Sequence, residues 1–510
     1  MEIIKNRLRH YGEALADTDM IEESLVVIVP DTNPDALQII GSKASLYVQE
    51  KSCAQGLLKI TGSASCQISY LSTDGKEPYI VTASIPFSMS KEVAGMAADD
   101  KMLTELRLLN VSAAMVNPRK LSLRIQIQAF EQVYKCQVVE YAENVVSTSD
   151  EGVNCRCENK SFKTITDIVE KRVVFNDEIR LSGQQPNGNS VMLRNEAVWV
   201  SEDVKILPNK IMIRGRIDTI VTTMDENGCF SGKNKYAVPF SQIVECDGVN
   251  SDDEVEIVYS PAREDVEIFT SSDGVTTMSF AFAAVTSCIV KRKVMLVAVN
   301  DIYSTKWNTQ NKKACATTCL AQEPKCMKTP VKETVALEGG ADRILDISVV
   351  GEVSSIGKNE STVGANFYIM VIYQETDGTV LTTSKKVYAE SMCKEPFRTN
   401  GACVPSCSEP SAIISGDGEA TVTFEGIFVC MESSQGPIEM ISDCSIDKTT
   451  AKTSNIKASL VIKAVEKNET VWEIAKAYNT TPSVIASANK LNANDEIAAG
   501  RLILIPFVNR

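Results

Sequence analysis

Histidine is nearly absent from this sequence of 510 residues, because His10, in a polar amino-terminal stretch, is the single one. A Ser-His-Asp or Cys-His catalytic site, or a zinc site with a histidine ligand, would have to use that residue. A hydrolase that works with two carboxylates stays open, since Asp and Glu together number 66, but no pair of them stands out. We therefore predict a protein that is not an enzyme, and we assign no catalytic residue.

Long apolar segments are missing as well. No stretch approaches the roughly 18 uninterrupted apolar residues of a transmembrane helix, and LVVIV at 25–29 has only the length of a strand. The amino terminus lacks the basic start, apolar centre and small-residue cleavage site of a secretory signal. We expect no transmembrane segment and no export, so that the product stays in the cytosol of the cell that makes it.

Positive charge is scarce, with 52 Lys and Arg against 66 Asp and Glu and a net charge of −14. A nucleic-acid-binding protein needs a basic surface to neutralise phosphates, so we expect no nucleic-acid partner. The hydrophobic content of 44% and the charged content of 23% are typical of a globular protein. The length is sufficient for three or four domains.

Cysteine pairs of the zinc-binding kind are also missing. The chain has 16 cysteines, and eight of them fall between Cys315 and Cys444. Their spacings, such as Cys315-x3-Cys319, lack the Cys-x-x-Cys pairs of a structural zinc site. We assign no metal site and no cofactor. In a reducing cytosol these residues would be free thiols, and later oxidative cross-linking is the alternative.

What is present is alternation of apolar and polar residues along the first 440 positions or so. The segment LSLRIQIQAF at 121–130 places four aliphatic side chains on one face and polar side chains on the other, which predicts a half-buried strand. Asp-Gly and Asn-Gly pairs, which favour tight hairpin turns, separate such runs. The pattern predicts a mainly β chain of antiparallel strands.

An internal repeat has a constant offset of 153 residues. Identical residues recur at this offset for seven positions of the first copy, which are Ala44, Ile60, Gly62, Gly75, Pro86, Phe87 and Ser88. A weaker third copy is indicated by YLSTDG at 70–75 and YQETDG at 373–378, with VYAES in the approximate place of PFS. We predict three related β domains, joined by polar linkers near 147–161 and 309–330.

The segment VIVPDTNPDALQII at 27–40 precedes the first copy and resembles the V-P-D-x-x-P-D signature that opens the SPOCS domain. The matching residues are Val29, Pro30, Asp31, Pro34 and Asp35. The PFS units and VVFNDEIRLSGQQP at 173–186 fit the same domain type. SPOCS domains occur in spore-coat morphogenetic proteins of endospore-forming bacteria, so the resemblance implies three antiparallel, β-sandwich-like SPOCS domains and a role in the spore coat.

The carboxy-terminal segment differs from everything before it, because it predicts two short helices. Thr470 to Glu473 form a capping box, in which each side chain bonds to the other residue's backbone at the helix start. Thr481-Pro482 predicts a second helix with threonine at the cap, and Asn489 ends it. With SLVIKAV before and RLILIP after, the order is βααβ. We expect Trp472 to anchor the first helix.

This βααβ segment resembles a LysM domain, through TVWEIA at 470–475, Asn489 and Ile505-Pro506. LysM domains bind glycans that contain N-acetylglucosamine, chiefly peptidoglycan and chitin. The resemblance places the glycan- or partner-binding groove between the loop before the first helix and the loop after the second, and we assign it to Asn468, Glu469, Thr470, Val471, Leu491, Asn492, Ala493 and Asn494. Asn468 and Glu469 stand where the family has glycine and aspartate, so whether the groove takes glycan or protein stays open.

Together these features predict five units: an amino-terminal segment at 1–24, SPOCS-like domains at 25–145, 165–305 and 335–447, and a LysM domain at 458–510. By resemblance, the protein is a non-enzymatic scaffold that recruits or encases coat. Expected partners are the ATPase of the coat basement layer, other coat proteins, and peptidoglycan or its precursor. The expected place is the mother-cell cytoplasm at the forespore surface. A LysM-anchored surface or exosporium protein and a cell-wall hydrolase are the alternatives.

Overall fold

The computed structural model describes eleven stretches of the chain, which are residues 1–54, 56–73, 78–97, 99–181, 190–225, 230–319, 324–416, 418–432, 435–452, 459–491 and 497–506. Most of these residues lie in antiparallel strands, which confirms the predicted mainly β fold. None of the helices in this part of the chain is long and apolar enough to cross a membrane.

The first and second domains each contain six strands. In the first domain they are β1 (Glu2–Ile28), β2 (Ala36–Ala54), β3 (Leu57–Ser72), β4 (Pro78–Glu92), β5 (Lys101–Asn117) and β6 (Lys120–Val146). A single 3-10 turn, Ser149–Glu151, leads to β7 (Val153–Arg180), β8 (Val191–Leu207), β9 (Lys210–Met224), β10 (Phe230–Glu245), β11 (Glu254–Thr270) and β12 (Thr276–Ser304).

The third domain is divided into shorter strands, and the helical segment follows it. Its strands are β13 (Trp307–Cys319), β14 (Lys325–Ala336), β15 (Arg343–Gly351), β16 (Ser354–Ile356), β17 (Thr362–Gln374), β18 (Val380–Met392), β19 (Gly401–Cys407), β20 (Ser411–Gly416), β21 (Glu419–Glu432) and β22 (Gln435–Ala451). The last segment consists of β23 (Leu460–Ala464), α1 (Val471–Ala477), α2 (Pro482–Asn489) and β24 (Leu502–Pro506).

Each of the three domains is a sandwich of two sheets. One sheet is a three-stranded meander, in the orders β2-β3-β4, β8-β9-β10 and β15-β17-β18. The facing sheets contain β1, β6 and β5, then β7, β12 and β11, then β14, β21, β19 and β16 with β20 beside β21. The inward side chains of the alternating strands, such as Ile60 and Ile125, form one core per domain.

The register of the meanders agrees with the internal repeat. Gly62 pairs with Phe87 in the first domain, and Gly215 pairs with Phe240 in the second. A Cβ atom at Gly62 would lie 2.3 Å from the Tyr47 carbonyl oxygen and 2.5 Å from the Phe87 ring. Because the phenylalanine ring and a carbonyl oxygen lie against the glycine in both copies, a larger residue at either position would force its neighbours to shift.

The third copy keeps the meander but not this pair. Ala365 stands opposite Ala389 at the corresponding place, and Ala389 belongs to the VYAES segment that the sequence aligned with PFS. One anchor is kept: the Tyr70 hydroxyl donates to the Pro34 carbonyl at 3.0 Å, and the Tyr373 hydroxyl donates to the Glu338 carbonyl at 3.0 Å. The predicted divergence of the third domain thus includes this cross-strand pair as well as its shorter strands.

Three two-stranded ribbons extend from the sandwiches and pack together in what we call the stalk. The ribbons pair residues 2–13 with 134–146, residues 153–167 with 290–304, and β13 with β22. Two apolar clusters contain side chains from all three, including Tyr141, Phe162 and Met440 in one and Val299 and Ile441 in the other. The stalk therefore holds the three domains in one body.

The stalk corrects three interpretations of the sequence. Most of 147–161 and of 309–330, predicted as polar linkers, lies in strands β7, β13 and β14. The stretch around His10 is also not a polar surface segment, because His10 is fully buried in β1 and its Nε2 accepts a hydrogen bond from the Thr317 N–H at 2.9 Å. Residues 2–28 form one strand, so the expected boundary at 24/25 falls inside β1.

Candidate recognition site

The carboxy-terminal segment forms the predicted βααβ unit. Thr470 and Glu473 make the capping box: the Glu473 N–H donates to the Thr470 hydroxyl at 3.3 Å, and the Thr470 N–H donates to the Glu473 carboxylate at 2.9 Å. The Thr481 hydroxyl caps α2 by accepting from the Val484 N–H. These caps satisfy backbone donors that each helix start would otherwise leave free.

Asn489, at the end of α2, joins the helices to the strand pair. Its amide nitrogen donates to the carbonyls of Ile485 at 2.8 Å and Leu504 at 2.7 Å, and its amide oxygen accepts from the Leu504 N–H at 2.7 Å. One side chain thus satisfies backbone groups of both α2 and β24. This bonding is the physical reason for an asparagine at this position.

The loop between β23 and α1 contains four of the predicted site residues. Asn468 is exposed and has a left-handed backbone with φ of 66°, which asparagine tolerates better than most residues. The Glu469 carboxylate accepts from the Glu466 N–H at 2.9 Å and lies 3.1 Å from the Lys463 ammonium. The loop is therefore held by its own side chains, with Asn468 and Thr470 facing solvent.

The remaining predicted residues are placed differently. The side chain of Val471 is 1% exposed and that of Leu491 packs against the same core, so each has mainly backbone groups to offer a ligand. The other three predicted residues, Asn492, Ala493 and Asn494, lie outside the described residues. The described residues therefore include the loop before α1 and Leu491, which are one part of the expected groove.

Trp472 of α1 joins the helical unit to the stalk. Its Nε1–H donates to the Asp301 carboxylate at 2.7 Å, and the ring meets the Tyr303 ring edge to face with centroids 5.0 Å apart. The Arg156 guanidinium lies over the same indole at 5.4 Å. With 8% of its surface exposed, Trp472 serves as the anchor that the sequence predicted, and it also contacts the stalk.

Two further bonds complete this contact, which we call the docking interface. The Lys476 ammonium lies 2.8 Å from both oxygens of the Asp301 carboxylate, and the Tyr303 hydroxyl donates to the Thr480 carbonyl at 2.8 Å. Burial alone would raise the pKa of Asp301, but the bonds from Lys476 and Trp472 outweigh it and lower that pKa. Asp301 is therefore held as a carboxylate between two donors.

Sequence reasoning missed the docking residues Asp301, Tyr303 and Arg156. They lie on β7 and β12, and a register shift between Val299 and Asp301 marks a β-bulge that re-aims the strand. Asp301 is 171 positions from Trp472, and no local pattern distinguishes it from other acidic residues. The interface contacts α1 and the turn after it, so the loop of Asn468 and Thr470 remains exposed.

The strand pair of the helical unit has an apolar outer face. Leu460, Ile462, Leu502 and Leu504 project from it, with exposed fractions of 47, 60, 66 and 37%. The inward residues, such as Ile503, pack beneath the helices instead. Apolar side chains that adjoin on a surface are typical of contact sites for other macromolecules.

Groups suited to a metal are not found among the described residues, where no set of three His, Cys, Asp or Glu side chains could hold an ion. The eight cysteines from Cys315 to Cys444 are free thiols, of which Cys315 and Cys326 are exposed. No cofactor site is assigned.

Two family models match the chain. A LysM domain matches residues 464–506, which contain α1, α2 and β24. The model described as SipL, SPOCS domain matches residues 35–116 and 190–268. These segments correspond to the meander and following strand of the first and second sandwiches. No curated protein and no solved structure matches the chain.

Proposed function

We propose that this protein, whose chain contains SPOCS and LysM domains, is a non-enzymatic scaffold of the spore coat. It acts from the mother-cell cytoplasm at the forespore surface, where it recruits or encases coat, and its LysM domain is the recognition module. The domains themselves indicate a sporulation-related protein with a module of the peptidoglycan-binding type. The scaffold role is the finer statement that we add.

The docking interface is the observation that carries this proposal. It fixes the LysM domain on the stalk through Asp301, Trp472 and Tyr303, so the loop of Asn468 has a defined direction relative to the SPOCS domains. A module that served only to tether a remote catalytic domain would gain nothing from such a contact. A scaffold gains from it, because a preorganised surface loses less conformational entropy when it binds.

The proposed partner is the ATPase that forms the basement layer of the coat. The apolar outer face of the LysM strand pair favours a protein contact, since it exposes aliphatic side chains such as Ile462 and Leu502. The loop at Asn468 supports contact with peptidoglycan or its precursor. Other coat proteins would use the SPOCS surfaces.

A capture experiment from sporulating cells tests the partner. The tagged full chain is compared with a chain ended at Lys452, with Asn468→Gly, and with the double change Ile462→Ser and Leu502→Ser. Glycine keeps the left-handed backbone of Asn468 while removing its side chain. Met392→Ser is the matched control, because this methionine is 77% exposed but lies in the third sandwich.

We expect the full chain and the Met392→Ser control to capture the ATPase, and the shortened chain and the double variant to lose it. Asn468→Gly, which gives this position the residue that the LysM family has, should leave both ATPase capture and binding to N-acetylglucosamine oligomers at least as strong as in the full chain. Changes at Asn492 and Asn494 are predicted to leave the fold intact and weaken partner binding. Equal ATPase capture by the full and shortened chains would contradict the proposed role of the LysM domain.

The non-enzymatic part has a separate test. Purified cell wall incubated with the full chain should release neither reducing sugars nor peptides above the level of the buffer. Release that a single point substitution abolishes would identify a hydrolase and would contradict the proposal.

A further inference from the structure

A cavity of about 720 Å³ lies where the three sandwiches meet. Its walls come from β2 and β5 of the first domain, β8 and β11 of the second, and β15 and β17 of the third. Sites for small molecules usually have volumes of about 300–1,000 Å³ and are common between domains. None of its lining residues belongs to the LysM domain, and the cavity plays no part in the function proposed above.

Most charges that line this cavity are already neutralised. The Arg107 guanidinium lies 2.7 Å from the Glu105 carboxylate. Arg194 lies 2.6 Å from Glu196 and 2.8 Å from Asp346, a residue whose side chain is 1% exposed. Of these pairs, Arg194 with Asp346 joins the second and third domains, and all three leave little free charge for a ligand.

Lys43 also lines the cavity, but among the described residues its charge is not paired with an acidic side chain as those of Arg107 and Arg194 are. Its ammonium makes neither a hydrogen bond nor an ion pair with any residue of the described ranges, although Asp265 and Glu267 are near enough to act through space. Burial lowers the pKa of Lys43 to about 8, and those two carboxylates only partly offset this effect. At neutral pH the cavity therefore contains one unpaired cation.

Glu264 is an acidic side chain of the same cavity that is about half ionised at neutral pH. Burial, with the charge of Glu196, raises the pKa of the Glu264 carboxyl to about 7, against a smaller opposing effect of the Trp199 indole. Within the described part of the chain it has no ion pair, and its backbone carbonyl accepts from Ser45 Oγ at 3.2 Å. Ser45 is two residues from Lys43 on the same strand face, about 7 Å along β2.

We propose that this cavity binds a small zwitterion, an amino acid or a short peptide whose carboxylate pairs with Lys43 and whose ammonium pairs with Glu264. A buried unpaired charge is costly, and such a ligand neutralises both at once. A neutral sugar would leave both charges unpaired. A phosphate would be repelled by Glu264, and a metal cation by Lys43.

Calorimetric titration of the full chain with glycylglycine and triglycine tests the proposal, because these probes carry the two charges and no side chain. Two blocked probes are titrated beside them: N-acetyl-glycylglycine, which has no ammonium, and glycylglycinamide, which has no carboxylate. We expect at least one free peptide to bind and each blocked form to bind at least ten times more weakly. This comparison uses the unaltered protein, so it does not depend on how any variant folds.

The variants Lys43→Met and Glu264→Gln then assign the two ends. Lys43→Met should reduce binding of the free peptide at least tenfold, and it should no longer distinguish the free peptide from the amide. Glu264→Gln should no longer distinguish the free peptide from the acetylated form. Lys205→Met, at a lysine whose side chain is 60% exposed, should bind like the unaltered chain. Absence of binding by both free peptides, or equal binding by the blocked forms, would overturn the proposal.

Discussion

The substitution Asp301→Ala is predicted to release the LysM domain from the stalk while both remain folded. The Asp301 carboxylate accepts from the Trp472 indole at 2.7 Å and from the Lys476 ammonium at 2.8 Å. Both donors belong to α1, and Trp472 also packs with Tyr303 of the stalk in the apolar cluster of the LysM core. Loss of the carboxylate therefore removes polar contacts between the two bodies and leaves the apolar side chains of this cluster in place.

The size of the effect follows from the exposure of the two donors. A hydrogen bond to a charged group contributes about 1.5–3 kcal/mol when it is shielded, which applies to the buried Trp472 N–H. The Lys476 side chain is 44% exposed, so its ion pair adds only about 0–1 kcal/mol. We expect a total loss of about 2–3 kcal/mol, which lowers the docking equilibrium constant by roughly 30- to 150-fold.

Fluorine NMR on protein labelled with 5-fluorotryptophan measures this release. The sequence has three tryptophans, so three resonances are expected, and Trp472→Phe assigns the relevant one. In Asp301→Ala, the Trp472 resonance alone should shift and gain a solvent isotope effect. Asp301→Asn, which keeps an acceptor for the indole, should give an intermediate change. Glu439→Ala, which removes a surface ion pair of the β13–β22 ribbon, is the control and should leave the Trp472 resonance unchanged.

An unchanged Trp472 resonance in Asp301→Ala would contradict the claim that the Asp301 carboxylate holds Trp472 at the docking interface. A pH titration of the unaltered chain provides a second check of the same interface. Because the pKa of Asp301 is lowered in the folded protein, its carboxylate stabilises docking fully above its unfolded pKa of about 3.9. That stabilisation is lost as the pH falls through the folded pKa. The Trp472 resonance should therefore report undocking below about pH 4 and no change between pH 5 and pH 8.

Three other predictions concern the three sandwiches and the stalk. Gly62→Ala and Gly215→Ala should each lower the free energy of unfolding in urea by about 1–3 kcal/mol, because the new Cβ atoms would lie 2.3 and 2.1 Å from carbonyl oxygens. A loss of stability from only one of the two substitutions would contradict the shared register. Burial lowers the pKa of His10, so the contribution of neutral His10 to the free energy of unfolding is full above pH 6.5 and is lost as the pH falls through the folded pKa. An NMR titration of this imidazole that gives a pKa of 6.5 or more would contradict its burial. Cys315 and Cys326 should react with a thiol reagent in the native protein, and monomer release from spores that is the same with and without reductant would exclude cross-linking through them.

Short-range features were predictable from the sequence because their physics is local. The capping box of Thr470 and Glu473 spans four residues, and the strand alternation at 121–130 needs no partner to be recognised. The offset of 153 also predicted which residues occupy equivalent positions, since a duplicated unit keeps its register. Gly62 and Gly215 have the same neighbours for that reason.

Long-range contacts were not predictable from one sequence. Parts of the second and third stalk ribbons, near 147–161 and 309–330, were interpreted as linkers because polar residues dominate segments such as 309–319. The docking of Trp472 on Asp301 and the cavity at Lys43 depend on residues far apart in the chain. No local pattern specifies which acidic side chain meets which helix.

Imaging of the tagged protein in sporulating cells tests whether it encases the forespore and whether its LysM domain is needed there. The full chain is compared with a chain ended at Lys452, which keeps the SPOCS body and lacks the LysM domain. The account predicts a ring of full-length protein around the forespore, and loss or interruption of that ring in the shortened chain. Secretion of the full chain, or an identical ring without the LysM domain, would contradict it.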